Sequence, residues 1–137
     1  MINHKIAVGL STIYKCEGCL SDAMPHSGSA GILDYLISTP AIMAMIIEAS
    51  SNLLDPLLPE DYITVGKNIE LSHEKPTIID GTISIIVSVT KIDGDRIHLD
   101  ISGHDAIGQV CQGKYERVIV NKNVLMDSTY RRAQAAL

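Results

Sequence analysis

"STPAIMAMIIEAS" occupies residues 38–50, and how it is read decides the fold. From Ala41 to Ile47 no side chain is polar; Glu48 follows, then Ala49 and Ser50. A helix lying on a protein surface carries one apolar stripe and one polar face. This stretch is apolar all round apart from a single carboxylate, so other parts of the protein must surround it. Thr39 offers a capping hydroxyl, and Pro40 fits the first helical position because its φ is already fixed there. Pro56 and Pro59 prevent continuation, so a helix is expected from about Thr39 to about Leu54.

What surrounds it is written downstream. Residues 62–73, "YITVGKNIELSH", place Ile63, Val65, Ile69, Leu71 and His73 on one parity, the period of a strand with one buried face. Residues 81–92 put Ile83, Ile85, Val87 and Val89 on one side, and Thr82, Ser84, Ser88 and Thr90 on the other. Asp93-Gly94 is a two-residue hairpin signal. Residues 95–104 return with Ile97, Leu99 and Ile101 inward and Arg96, His98, Asp100 and Ser102 outward, and a turn near Asp105–Gly108 leads into 109–120. Upstream, residues 5–15 read as a strand interrupted near Gly9. Residues 16–37, with Gly18, Pro25, Gly28 and Gly31, read as irregular, with one helical turn around Ile32 to Leu36. Alternation implies an antiparallel sheet with one wet face, while the helix has almost none. Both are satisfied if the sheet curls around the helix and a second subunit or an overlying segment covers the remainder.

Composition narrows the function classes. With 137 residues the chain has room for one domain. Hydrophobic residues at 46% and charged residues at 20% make it globular and not disordered. A net charge of −5 argues against a nucleic-acid binder, which carries a basic stripe. No apolar run reaches the roughly 20 residues that a membrane span requires. The start, "MINHKIAVGL", lacks the apolar core and cleavage site of a signal peptide, so the expected location is cytoplasmic. Three cysteines, an odd number, argue against a disulfide framework and for reduced thiols. Cys16 and Cys19 form one C-x2-C pair. A zinc site would have to add Cys111, His26 or His73 without a second paired spacing, so neither metal nor cofactor is expected.

Three stretches in order, "STPAIMAMIIEAS", "TVGKNIELSH" and "GQVCQGKYERVIVNK", resemble the thioesterases related to fluoroacetyl-CoA thioesterase. The likeness runs from about Lys5 to Lys122, and the order and spacing of the motifs carry it. It implies an α+β hotdog fold, an antiparallel sheet wrapped around one long central helix, over residues 1–122, with a polar C-terminal tail over 123–137. It also implies an acyl-CoA substrate and a homodimer or dimer of dimers. Matched residue by residue, the family's catalytic Thr, Glu and His fall on Thr39, Glu48 and His73. The Gly that lies close to the thioester falls on Gly66. The interval from Thr39 to Glu48 is one residue longer than the family's, which leaves the hydroxyl role open between Ser38 and Thr39. The lid residues behind selectivity for a fluorinated acyl group have no match in "CLSDAMPHSGSAGILDYL".

The residues themselves agree with that chemistry. Glu48 shares a helix face with Ala41 and Ala44, which leave room beside the carboxylate. A buried carboxylate needs a partner to stay ionised, and His73 is a candidate. N–H groups at the helix start would bind the thioester carbonyl, Glu48 would attack it or orient water, and His73 would act as base and then protonate the thiolate. The CoA phosphates would meet rim cations among Lys67, Lys75, Lys114 and Arg117. Two other readings compete. One is a non-catalytic acyl-CoA-binding hotdog protein. The other is a hotdog hydratase or dehydratase with Asp93 and His98, although "DGDRIH" lacks the Asn-Pro of that family and reads as a hairpin. His98 and His104 belong to the wet face; His4 and His26 sit in irregular stretches.

Overall fold

Alternating β-branched residues produce strands over 62–73, 82–93, 96–104 and 109–121, where the pattern places them, whereas the first strand runs over Ser11–Glu17 and not over 5–15. The computed structural model describes residues 2–17 and 35–136. It contains β1 (Ser11–Glu17), α1 (Thr39–Leu54), β2 (Tyr62–His73), β3 (Thr82–Asp93), β4 (Arg96–His104), β5 (Gln109–Asn121) and α2 (Lys122–Ala135). Cys19, His26 and most of the turn expected at Ile32 to Leu36 lie outside the described residues. The strands form one antiparallel sheet in the order β1-β3-β4-β5-β2. Helix α1 packs across its inner face, touching β1, β2 and β3.

The core lies between them. Ile42, Met45, Ile46 and Ala49 of α1 meet Ile83, Ile85, Val87 and Val89 of β3 and Ile97, Leu99 and Ile101 of β4, all buried. Burying side chains of this size stabilises a fold by about 1.5–3 kcal/mol each. The hairpin turn lies one residue later than the sequence suggested. Asp93 pairs with Arg96, and the loop is Gly94-Asp95. Gly94 has φ +63°, which suits glycine at the first loop position.

Two further expectations are corrected. Ser38, not Thr39, caps α1: its hydroxyl accepts from the Ala41 N–H at 3.2 Å. Both residue types cap well, and the chain places the extended residue at 38. Strand β2 is not regular, because its register against β5 shifts between Gly66 and Asn68. Such a bulge adds one residue and reverses which parity faces inward. Before it, Thr64 and Gly66 share the inner face with their β5 partners Ile119 and Arg117. After it, Ile69, Leu71 and His73 share that face with Tyr115, Gly113 and Cys111. Ile63 and Val65 therefore do not share a face with His73.

The cysteines also differ from expectation. Cys16 is disulfide-bonded, and Cys111 is a buried free thiol. An odd count excludes full pairing but not one bond. Burial, with the charge of Glu74 second, raises the Cys111 pKa and keeps the thiol protonated. The last element is a helix, capped by the Asn121 side chain and without a buried residue. No described helix is long and apolar enough to cross a membrane.

Candidate active site

The bulge decides which side chains meet α1. In a regular strand, residues seven apart point to opposite faces. The extra residue at Lys67 lets Gly66 and His73 both face the helix. His73 ends β2 beside the start of α1, where Thr39 Oγ1 and His73 Nδ1 share a hydrogen bond of 2.7 Å. Because Ser38 caps the helix, the Thr39 hydroxyl is left to reach across to the strand. Next to His73 lies a cleft of about 220 Å³ lined by Leu36, Ile37, His73, Glu74, Lys75 and Pro76. Its wall is held by Thr77, whose carbonyl accepts from the Ile37 N–H and whose hydroxyl donates to Asp105. Burial alone would raise the Asp105 pKa. Hydrogen bonds from the Ile107 and Gly108 backbone and from Thr77 outweigh it and hold the carboxyl below its usual range.

Helix-start N–H groups do not serve the role expected of them. Pro40 has none, Ala41 donates to the Ser38 hydroxyl, and Ile42 donates to the Ser38 carbonyl. What this end presents toward His73 is the Thr39 hydroxyl.

Glu48 is exposed, contrary to the buried carboxylate that its apolar neighbours suggested. It does not contact His73. It accepts a 2.9 Å hydrogen bond from the Tyr14 hydroxyl of β1. Nine residues of helix separate it from Thr39, about 13 Å along the axis at 1.5 Å per residue. Tyr14 was missed as a site residue, although Thr12, Tyr14 and Cys16 alternate inward, and a half-buried tyrosine needs a partner for its hydroxyl.

Arg117 is not a rim cation. It is only 3% exposed. Its guanidinium donates to Thr64 Oγ1 at 2.8 Å, Tyr115 OH at 2.9 Å, Ser51 Oγ at 2.9 Å and the Thr64 carbonyl at 2.7 Å. Thr64 in turn donates to Asp55 from both its hydroxyl and its backbone N–H. This network fastens the end of α1 to β2 and β5. The signal was available: Tyr115, Arg117 and Ile119 share the inward parity of β5. Gly66 lies against the network, since a Cβ there would meet the Tyr115 hydroxyl.

Of the other proposed cations, Lys75 borders the His73 cleft, whereas Lys114 lies on the outer face near Asp100. A larger groove of about 680 Å³ crosses that outer face and contains none of Thr39, Glu48 and His73. Asp93 and His98 belong to the β3–β4 hairpin and that same outer side, where His98 lies 3.9 Å from Glu116. The described residues contain no cluster of three or more His, Cys, Asp or Glu side chains able to hold a metal.

The model of the fluoroacetyl-CoA-specific thioesterases matches residues 21–123. The chain belongs to this thioesterase family. As a member it is a thioester hydrolase of the acyl-CoA thioesterase kind. Solved structures agree on the fold. A hot-dog-like protein from Thermanaerovibrio acidaminovorans is 26% identical, with a TM-score of 0.83 over 91% of each chain. A thioesterase superfamily member from Thermus thermophilus superposes at 0.79 over 96% of each chain with 16% identity. A variant of the fluoroacetyl-CoA thioesterase, solved with acetyl-CoA, superposes at 0.81, covering 93% of this chain and 98% of its own, with 15% identity. Nothing matches among curated proteins. The architecture expected for this family member, a hotdog sheet with one central helix, is the one observed.

Proposed function

We propose that the protein hydrolyses an acyl-CoA thioester to a carboxylic acid and CoA, using Thr39, Glu48 and His73. The Thr39–His73 hydrogen bond carries this reading, because it joins a hydroxyl polariser to a proton carrier at the mouth of a cleft. Thr39 steadies the developing oxyanion. The Glu48 carboxylate either attacks the carbonyl carbon or orients the attacking water, and as the C–S bond breaks His73 gives a proton to the departing thiolate. In the first case a mixed anhydride forms, and water then hydrolyses it to free Glu48. Lys75, which borders the cleft, would meet a CoA phosphate.

One thioester cannot touch both His73 and Glu48 of one chain at the separation of about 13 Å that the helical rise implies. We propose a homodimer in which one copy supplies Thr39 and His73 and the other supplies Glu48. Two features support it. The exposed stripe of α1 carries Pro40 and Ile47 beside Thr39 and Glu48, and β2, twelve residues long, lies at a sheet edge where another strand can pair.

His73→Ala and Glu48→Gln should each lower acyl-CoA turnover at least about a hundredfold, the lower range for losing a general acid–base. Mixing the two inactive variants and letting subunits exchange should restore about a quarter of the wild-type rate, since half the dimers are mixed and each carries one intact site. No recovery after verified exchange would sink the shared site. Near-normal turnover by Glu48→Gln would remove the carboxylate from the mechanism.

A further inference from the structure

Glu48 projects from the exposed side of α1, where a long carboxylate side chain has several rotamers open to it. One group holds it. Tyr14 faces α1 from β1, paired with the buried Ile85 of β3, and its hydroxyl donates to Glu48 Oε2 at 2.9 Å. β1 packs directly on α1. The bond occupies one carboxylate oxygen and leaves Oε1 for the thioester or a water. We infer that Tyr14 is a positioning residue, fixing Glu48 in one rotamer; this rests on Glu48 being the reacting carboxylate.

The donor keeps its proton at neutral pH. Burial raises the Tyr14 pKa, and the hydrogen bond to Glu48 and that carboxylate's charge raise it further. Few other titratable groups face α1 among the described residues. β1 presents Tyr14, β2 presents Tyr62 and His73, and β5 presents Cys111, Tyr115 and Arg117, whose guanidinium reaches Ser51. The inner residues of β3 and β4 are aliphatic except for Gly103. Of these, Tyr14 is the one hydrogen-bonded to Glu48.

Tyr14→Phe tests the assignment, since it keeps the ring and removes only the hydroxyl. It should fold normally by circular dichroism and thermal melting. kcat should fall about tenfold with KM nearly unchanged, the scale expected for losing a hydrogen bond to a charged group. A purely structural tyrosine would instead lower stability and leave kcat per folded molecule alone. Glu48→Gln is assayed alongside. If it is inactive while Tyr14→Phe keeps its kcat, Tyr14 does not position Glu48 and the catalytic reading stands. If Glu48→Gln is active, the catalytic reading fails and the positioning role goes with it.

Discussion

Helix α1 buries Ala41, Ile42, Met45, Ile46 and Ala49 against its own sheet, while Thr39, Pro40, Ile47 and Glu48 on the same helix are exposed. The buried side is covered by complementary strands and sets the fold. The open side holds the two helix residues proposed for the reaction, with the apolar Pro40 and Ile47 beside them. A surface helix with those residues exposed would normally be polar there. The contrast is what the proposed homodimer would explain, since a second copy would cover the side of the helix that this chain leaves exposed.

The largest effect should come from breaking the buried side. Ile46→Ala leaves a cavity between α1 and the sheet and should cost about 2–5 kcal/mol of stability. Equilibrium denaturation measures this, and turnover per folded molecule should stay close to normal. A loss below about 0.5 kcal/mol, typical of surface positions, would mean that the two sides do not differ as described.

The open side should respond in the opposite manner. Ile47 is 45% exposed within one chain. Ile47→Lys should leave the fold intact and weaken self-association at least about tenfold by analytical ultracentrifugation, because a desolvated lysine in an apolar interface lacks a partner. An unchanged association constant would place the dimer contact elsewhere.

The smallest effect should come at the junction of the two sides. Ser38→Ala removes the cap and should cost about 1 kcal/mol by thermal or chemical melting. It should also slow turnover modestly, because the neighbouring Thr39 hydroxyl is aimed by the helix start. Loss of activity as deep as in the His73 variant would shift the hydroxyl role from Thr39 to Ser38.

How much of this was legible in the sequence varies with the kind of signal. Strands β3, β4 and β5 were readable because Ile83 to Val89 and Ile97 to Ile101 keep a strict period of two over several residues, and turn chemistry bounds them. The helix was readable from its apolar run and its prolines. The inward parity of Thr64 and Gly66 was not, because a bulge is a one-residue change of register that leaves composition unaltered. The cap was misplaced by one residue because Ser38 and Thr39 are both good caps, and only the backbone path separates them. Glu48 was expected in a closed interior because its neighbours are apolar; one chain leaves that side of the helix open. Tyr14 passed unnoticed because its role depends on a partner 34 residues away. Arg117 is expected at a rim by the general habit of charged residues, but the parity of its own strand points it inward.

The bulge in β2 has a consequence for how this protein can vary. Gly66 and His73, seven residues apart, face the same helix only because one residue of that interval stands outside the ladder. Dropping Lys67 would leave them six apart in a regular strand, still on one face and with the same β5 partners. Length and regularity are therefore coupled between these two residues: a deletion that removes the bulge keeps both toward the helix, whereas an insertion does so only if a second bulge absorbs it.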